Sequence, residues 1–385
     1  MMSSAIPLTG TPFPKSEYER RQQKVLEAIA RAKLDGLLVT AHGHLQYLTG
    51  YCGKGGYFAP FPLILAPGRT PTLVAREYEL GAVRAESCVD EIVPYTEQND
   101  FARVCADTLR RFGLQNKRLG FELGCWNLAP ADVTAIQAQI PEARVIDATR
   151  LVASVAAVKT DLELQAMRAA MVLTDMAVRT FQLSLREGVT ESEVAAEINR
   201  EVKKAGGELQ APATTLLFGE RTKLSHGSPM DHPIGNNEPA FMELGGLKQG
   251  YSAGLVRTAV LGRHPETESL HALSVEALDA VIGAIKPGAT AGEVDAAGRK
   301  VIERSARPKV LNHRVGYQTG INWTERGNLS LEPDATDVLQ VGMTLHMPII
   351  LCGEGGYLLG TSEHVVVTER GAEILSHTPH TLYRA

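Results

Sequence analysis

The sequence has no run of eighteen apolar residues, an absence that predicts a chain without a membrane-spanning helix. Its opening, MMSSAIPLTGTPFPKSEYERR, holds no apolar core of signal-peptide length, so the expected compartment is the cytoplasm. Cysteine is sparse. The five residues Cys52, Cys88, Cys105, Cys125 and Cys352 are scattered, odd in number and free of any Cys-x-x-Cys pair, which points to reduced structural thiols. Basic runs are missing as well. With a net charge of −5 and dispersed Lys and Arg, the chain is not expected to bind nucleic acid.

What is present reads as a globular protein. The hydrophobic content of 44% supplies full cores and the 22% of charged residues is ordinary for a water-facing surface. A length of 385 residues predicts two domains. Over 18–150, amphipathic helices (YERRQQKVLEAIARAKL, FARVCADTLRRFGL) alternate with strands (GLLVTA, RLGFELG, ARVIDAT) and with a hairpin turning at Pro67-Gly68. This predicts an α/β N-terminal domain over 1–155. From Val158 onward the pattern changes. Long helices open on the capping boxes Thr160-x-x-Glu163, Thr190-x-x-Glu193 and Thr290-x-x-Glu293. The stretches EGVTESEVAAEI and KPGATAGEVDAAG resemble one another, and strand-like segments follow each. Residues 156–385 therefore read as an α+β domain, either built from two related halves or carrying two helices that merely share a good cap. Where halves meet is the place to look for a site.

Five segments carry chemistry: LSHGSPMDHP with His226; FMELGGLKQGYSAGLVRT with Glu243, Tyr251 and Arg257; NHRVGYQTGINWTERG with His313 and Tyr317; VGMTLHMPIILCGEGG with His346; and GTSEHVVVTERG with Glu363. Taken in order, SHGSP, GYSAGLVRT, HRVGYQTG, VGMTLH and SEHVVVTERG resemble successive blocks of the creatinase/Xaa-Pro aminopeptidase (M24, pita-bread) superfamily. DGLLVTAHGHLQYLTGY resembles its N-terminal domain. The resemblance implies a pita-bread catalytic domain of two related halves, and a homodimer acting on a small-molecule substrate.

Metallopeptidases of that superfamily bind two metal ions through two Asp, one His and two Glu. Here the matching positions hold Glu243, Gly254, Tyr317, either Met347 or Pro348, and Glu363, while a second family histidine is replaced by Thr324. Gly254 has no donor, and Met or Pro is no ligand for a hard cation. The expectation is therefore a site without metal or other cofactor. That pattern resembles the metal-free creatinases and ectoine hydrolases, the latter through the pair Glu243-Leu244. The implied activity is hydrolysis of a C–N bond in a small amidine or guanidino compound. Glu243 is the expected nucleophile or general base, Glu363 the holder of cationic nitrogens and His226 the proton carrier. With two carboxylates in one cavity, one should titrate upward.

Tyr251, Arg257, Tyr317, His313 and His346 are candidate substrate contacts, each with a packing or ion-pair role as its alternative; Arg257 in particular could pair with a carboxylate. The Gly-rich stretch CGKGGYFAPF, with Lys54 and Tyr57, is a candidate loop for closing the pocket. Two other functions stay open: a metallopeptidase acting on Xaa-Pro dipeptides, and a non-catalytic binding protein on the same fold.

Overall fold

The computed structural model describes residues 10–53, 59–97, 100–210 and 214–385. The loop residues Lys54 and Tyr57 lie outside the described residues. The chain divides into two units, one of residues 1–156 with 325–327, the other of residues 157–324 with 328–385. No described helix is long and apolar enough to cross a membrane.

The first unit is a mixed six-stranded sheet with helices. Its strands are β1 (Gly36–Val39), β2 (Leu63–Leu65), β3 (Thr72–Arg76), β4 (Glu91–Tyr95), β5 (Arg118–Phe121) and β6 (Arg144–Asp147). They lie in the order β4-β3-β2-β1-β5-β6. The Pro67-Gly68 turn joins β2 to β3 antiparallel, while β1, β5 and β6 run parallel, as helical crossovers require. The helices are α1 (Lys15–Arg31), α2 (His42–Thr49), α3 (Leu80–Glu86), α4 (Phe101–Arg111), α5 (Pro130–Gln139) and α6 (Thr149–Ala157). Phe101, Leu109, Phe121 and Ile136 join one apolar core with Leu38, Ile64 and Val74 of the sheet.

The second unit repeats one theme twice. In the first half, α7 (Asp161–Ser184) and α8 (Glu191–Lys204) precede β7 (Glu208–Leu209), β8 (Thr215–Phe218), β9 (Glu238–Lys248) and β10 (Tyr251–Leu261). In the second half, α9 (Pro265–Ala284) and α10 (Ala291–Arg304) precede β11 (Gly316–Gln318), β12 (Ser330–Leu331), β13 (Thr344–Cys352), β14 (Leu358–Thr368) and β15 (Gly371–Ile374); a last strand, β16 (Tyr383–Arg384), returns to β10.

All three capping boxes form, with the threonine side chain and the glutamate side chain each taking a backbone N–H. The likeness of the halves extends to single hydrogen bonds. Gly188 N donates to Ile234 O and Ile234 N to Val189 O; Gly288 N donates to Leu339 O and Leu339 N to Ala289 O. Both glycines have positive φ, 80° and 86°, which only glycine adopts without cost.

The long antiparallel pairs β9–β10 and β13–β14 form the two sheets' centres. They are tied to each other by Val256 N to Ser362 Oγ at 2.6 Å and by reciprocal bonds between Thr258 and Gly360.

Candidate active site

Strand register decides which side chains reach the space between the sheets. Residues directly opposite in an antiparallel pair share a face, and a step of one changes face. Glu243 pairs with Val256 and Gly245 with Gly254. Tyr317 pairs with His346, His346 with His364, and Pro348 with Ser362. These residues therefore belong to the inner faces. Met242, Arg257, Met347 and Glu363 belong to the outer ones.

A cavity of about 550 Å³ opens on the inner side. Glu243, His226, Tyr317 and His313 line it together with Arg314, Trp323, Thr324, Pro348 and Phe241. Of the eight residues expected from sequence, these first four come together. His226 is exposed at the rim, in a left-handed backbone conformation with φ 56°. His313 sits in a loop rather than a strand. Both its ring nitrogens face backbone carbonyls, Arg314 O at 2.6 Å and Ile350 O at 2.9 Å, so it offers the cavity a ring surface and no free nitrogen.

The other four lie elsewhere. Glu363 is wholly buried on the outer face, where Arg257 Nη2 donates to it at 2.7 Å and His380 and Ser376 also bond to it. Arg257 is thus the partner of Glu363, and it donates further to the carbonyls of Val256, Ser362 and Thr378. The Tyr251 hydroxyl donates to Glu163 Oε1 at 2.7 Å, pinning β10 to the start of α7. His346 is buried behind Tyr317, with no exposure to the cavity. The two glutamates therefore do not share a cavity, and the expected repulsion between them does not arise. Glu363 titrates low: burial works to raise it, but the His380 and Arg257 contacts outweigh that. Glu243 is raised to about 7, by burial alone. Among the described residues, nothing hydrogen-bonds its carboxylate.

Two residues of the site had no signal in the sequence reading. Ser362 is one register step from Glu363, and that step puts it on the inner face. Of Met347 and Pro348, it is Pro348 that lines the cavity, while Met347 packs in the core. Trp323 is the other. Its indole lies over Gly245 and Gly254, where a Cβ on either glycine would overlap ring atoms. Gly254→Ala is accordingly expected to cost about 1–3 kcal/mol through overpacking, and Trp323→Ala in the same chain to relieve much of that cost. Urea unfolding of both single variants and the double variant measures the coupling.

Residues 165–369 match the family described as metallopeptidase family M24, more than half of the chain. The chain belongs to metallopeptidase family M24. Residues 21–158 match the creatinase/prolidase N-terminal domain. A Sinorhizobium fredii protein named as an uncharacterized hydrolase/peptidase, y4tL, is 29% identical over 385 residues, covering 96% of this chain and 97% of its own. The putative dipeptidase YkvY of Bacillus subtilis is 27% identical, covering 94% and 99%. In fold, the chain is similar to the dipeptidase PepE of Mycobacterium ulcerans (TM-score 0.86, 23% identity, covering 97% and 99%). It is also similar to an Xaa-Pro dipeptidase of Bacillus anthracis (TM-score 0.81, 22% identity, covering 96% and 100%).

These relatives correct the activity expected from sequence. They carry the names of peptidases and dipeptidases, so the metal-free amidine or ectoine hydrolase expectation is overturned in favour of its peptidase alternative. The M24 family's name implies a bound metal, and the donor chemistry of this cavity tests that implication. On the inner faces, Glu243, Gly254, Tyr317, Pro348 and Ser362 together provide one carboxylate, while Glu363 lies on the outer face. The space over Gly254 belongs to an indole. Among the described residues, no cluster of three or more His, Cys, Asp or Glu side chains is placed to hold a metal ion. The residues present do not fit a pair of divalent ions, which need bridging carboxylates and several further oxygen or nitrogen donors.

Proposed function

We propose that this chain hydrolyses the amide bond of small dipeptide-like substrates, including Xaa-Pro dipeptides, held in the inner cavity with Glu243 as the acid–base group. The observation that carries the reading is a lone, half-buried carboxylate, raised to about 7 by burial, on the wall of a cavity of about 550 Å³. That volume suits a ligand of dipeptide size. The peptidase and dipeptidase names of the full-length relatives supply the bond type.

A group that titrates near neutrality serves both halves of a hydrolysis. Ionised Glu243 takes a proton from water as the water oxygen bonds to the scissile carbonyl carbon. The protonated carboxyl then returns that proton to the amide nitrogen as the C–N bond breaks. In this reading Arg314, whose guanidinium lies 4.4 Å from the Tyr317 ring centre, and His226 at the rim receive the substrate's carboxylate.

The test is proton NMR of the chain incubated with a panel of Xaa-Pro and other dipeptides. Cleavage by the wild type, lost in Glu243→Gln, supports the reading. A second reading, a binding protein, is favoured by the Trp323 indole that fills the space over Gly254. Dipeptide binding without turnover, in the wild type and in Glu243→Gln alike, would decide for that one.

A further inference from the structure

We propose that Tyr317 is a catalytic residue whose hydroxyl proton is turned into the cavity, where it hydrogen-bonds the scissile carbonyl oxygen as negative charge builds there. The inference rests on the amide-hydrolysis reading for the identity of the acceptor, but the direction of the proton follows from the hydrogen bonds alone.

The chain of bonds starts at Ser362. Its Oγ accepts from Val256 N at 2.6 Å, and among the described residues its own proton has one acceptor, His346 Nε2 at 2.9 Å. Both residues are wholly buried, so a hydroxyl proton left unpaired there is costly. With Nε2 accepting, a neutral His346 carries its proton on Nδ1. Burial first, then His364 and Arg257, hold His346 well below the usual histidine range, so it is the neutral ring that occupies this place.

Nδ1–H then faces Tyr317 Oη at 3.1 Å and donates to it. Trp323 Nε1, which can only donate, gives a second hydrogen bond to the same oxygen at 2.7 Å. Both lone pairs of the Tyr317 oxygen are now occupied. Its proton has no acceptor among the described residues, and the residue lines the cavity with Glu243. The ring of His346 is packed in this orientation, edge-on against Tyr317 and Trp323 and stacked on His364.

A preorganised donor aimed where an oxyanion forms lowers the barrier without reorganising. In the addition step the O–H bond of Tyr317 stays intact. The water proton goes to Glu243, the carbonyl π pair moves onto oxygen, and that oxygen accepts from Tyr317. Burial, with the Glu243 charge second, pushes the phenol upward, so it stays a donor throughout neutral pH.

The direct test needs no substrate. In protein labelled with nitrogen-15 at histidine, with the signal assigned by its loss in His346→Asn, His346 is expected as the neutral Nδ1–H tautomer. An Nε2–H tautomer overturns the proposal whatever the activity. In kinetics, Tyr317→Phe is expected to lower kcat roughly 100-fold with little change in KM, the size found when one oxyanion donor is removed. Thermal unfolding of the variant checks that the fold is kept. Ser362→Ala, which frees His346 to change tautomer, should lower kcat in the same direction with KM kept. Unchanged kcat in Tyr317→Phe overturns the catalytic role. Failure of the wild type to cleave any dipeptide overturns the amide as acceptor and with it the reading of the function, whereas the tautomer result stands apart from that failure.

Discussion

Glu243→Gln is expected to lower kcat about 10³-fold and, at pH 8, to make the protein more stable than the wild type. The two effects have one cause. A carboxyl raised from its ordinary value of about 4.5 to about 7 holds its proton in the folded state over a range where the unfolded chain has lost it. By linkage, folding stability therefore falls as pH rises from about 4.5 to about 7, and stays at the lower level above that. The full shift corresponds to at most about 3 kcal/mol. Glutamine fills nearly the same space without a charge to bury, so it removes that penalty at pH 8 and changes little at pH 4. The same titration gives the rate its shape: kcat/KM should rise with pH through about 7 as the base ionises. General-base removal typically costs 10²–10⁴ in rate, hence the estimate of about 10³. Urea unfolding at the two pH values, with dipeptide turnover measured in parallel, checks both. A variant that loses activity without gaining stability at pH 8 would place the raised group elsewhere.

The fold was legible in the sequence because its signals are local and repeated. Three Thr-x-x-Glu boxes each open a helix, and all three form. The Gly-Val-Thr and Gly-Ala-Thr openings, one hundred residues apart, proved equivalent down to the hydrogen bonds of Gly188 and Gly288. Glu243 and Tyr317 could also be placed, since each sits in a segment whose turn and strand pattern is plain.

What failed was the choice of face. A strand's side chains alternate, so an alignment shifted by one residue exchanges the cavity for the opposite surface. That shift is the difference between Glu363, held by Arg257 outside, and Ser362, held by His346 inside. Charge made Glu363 the more conspicuous residue, and nothing in GTSEHVVVTERG tells the faces apart, since Thr361, Glu363, Val365 and Val367 alternate with Ser362, His364, Val366 and Thr368, a mix of polar and apolar residues on each side. Trp323 was invisible for a different reason. Its contact with Gly254 spans sixty-nine positions of sequence and depends on a loop whose path no local pattern dictates. A glycine in the middle of a strand was its single trace, since such a glycine often marks close approach by another group.

The activity expected from sequence failed in another way. Missing metal ligands say only what a site lacks, and a fold by itself does not fix the substrate.

The placement of Glu363 carries the other large effect. Arg257→Ala is expected to destabilise the protein by about 3–5 kcal/mol, the cost of leaving a buried carboxylate without its partner. Both side chains are almost completely buried, and the pair is 2.7 Å apart. Arg257 also supplies donors to the carbonyls of Ser362 and Thr378, so its loss loosens β14 and the segment after β15 together. Replacing both members, Arg257→Met with Glu363→Leu, should recover part of the loss, because an apolar pair of similar volume needs no desolvation. The recovery is expected to be incomplete, since those two carbonyls and Ser376 and His380 would lose their partner.

Acid gives an independent reading of the same pair. Glu363 is held below the usual carboxylate range, so its contribution is present above the unfolded value of about 4.5 and is lost as pH falls through the folded one. Wild-type stability should therefore drop on acidification in a way the double variant does not share. Turnover separates this role from a catalytic one. A Glu363→Gln protein that remains folded at 20 °C should keep kcat close to that of the wild type, because the outer face of β14 does not open on the cavity. Loss of kcat in a folded Glu363→Gln protein would return that residue to the chemistry and reverse the assignment of faces on which the site is built.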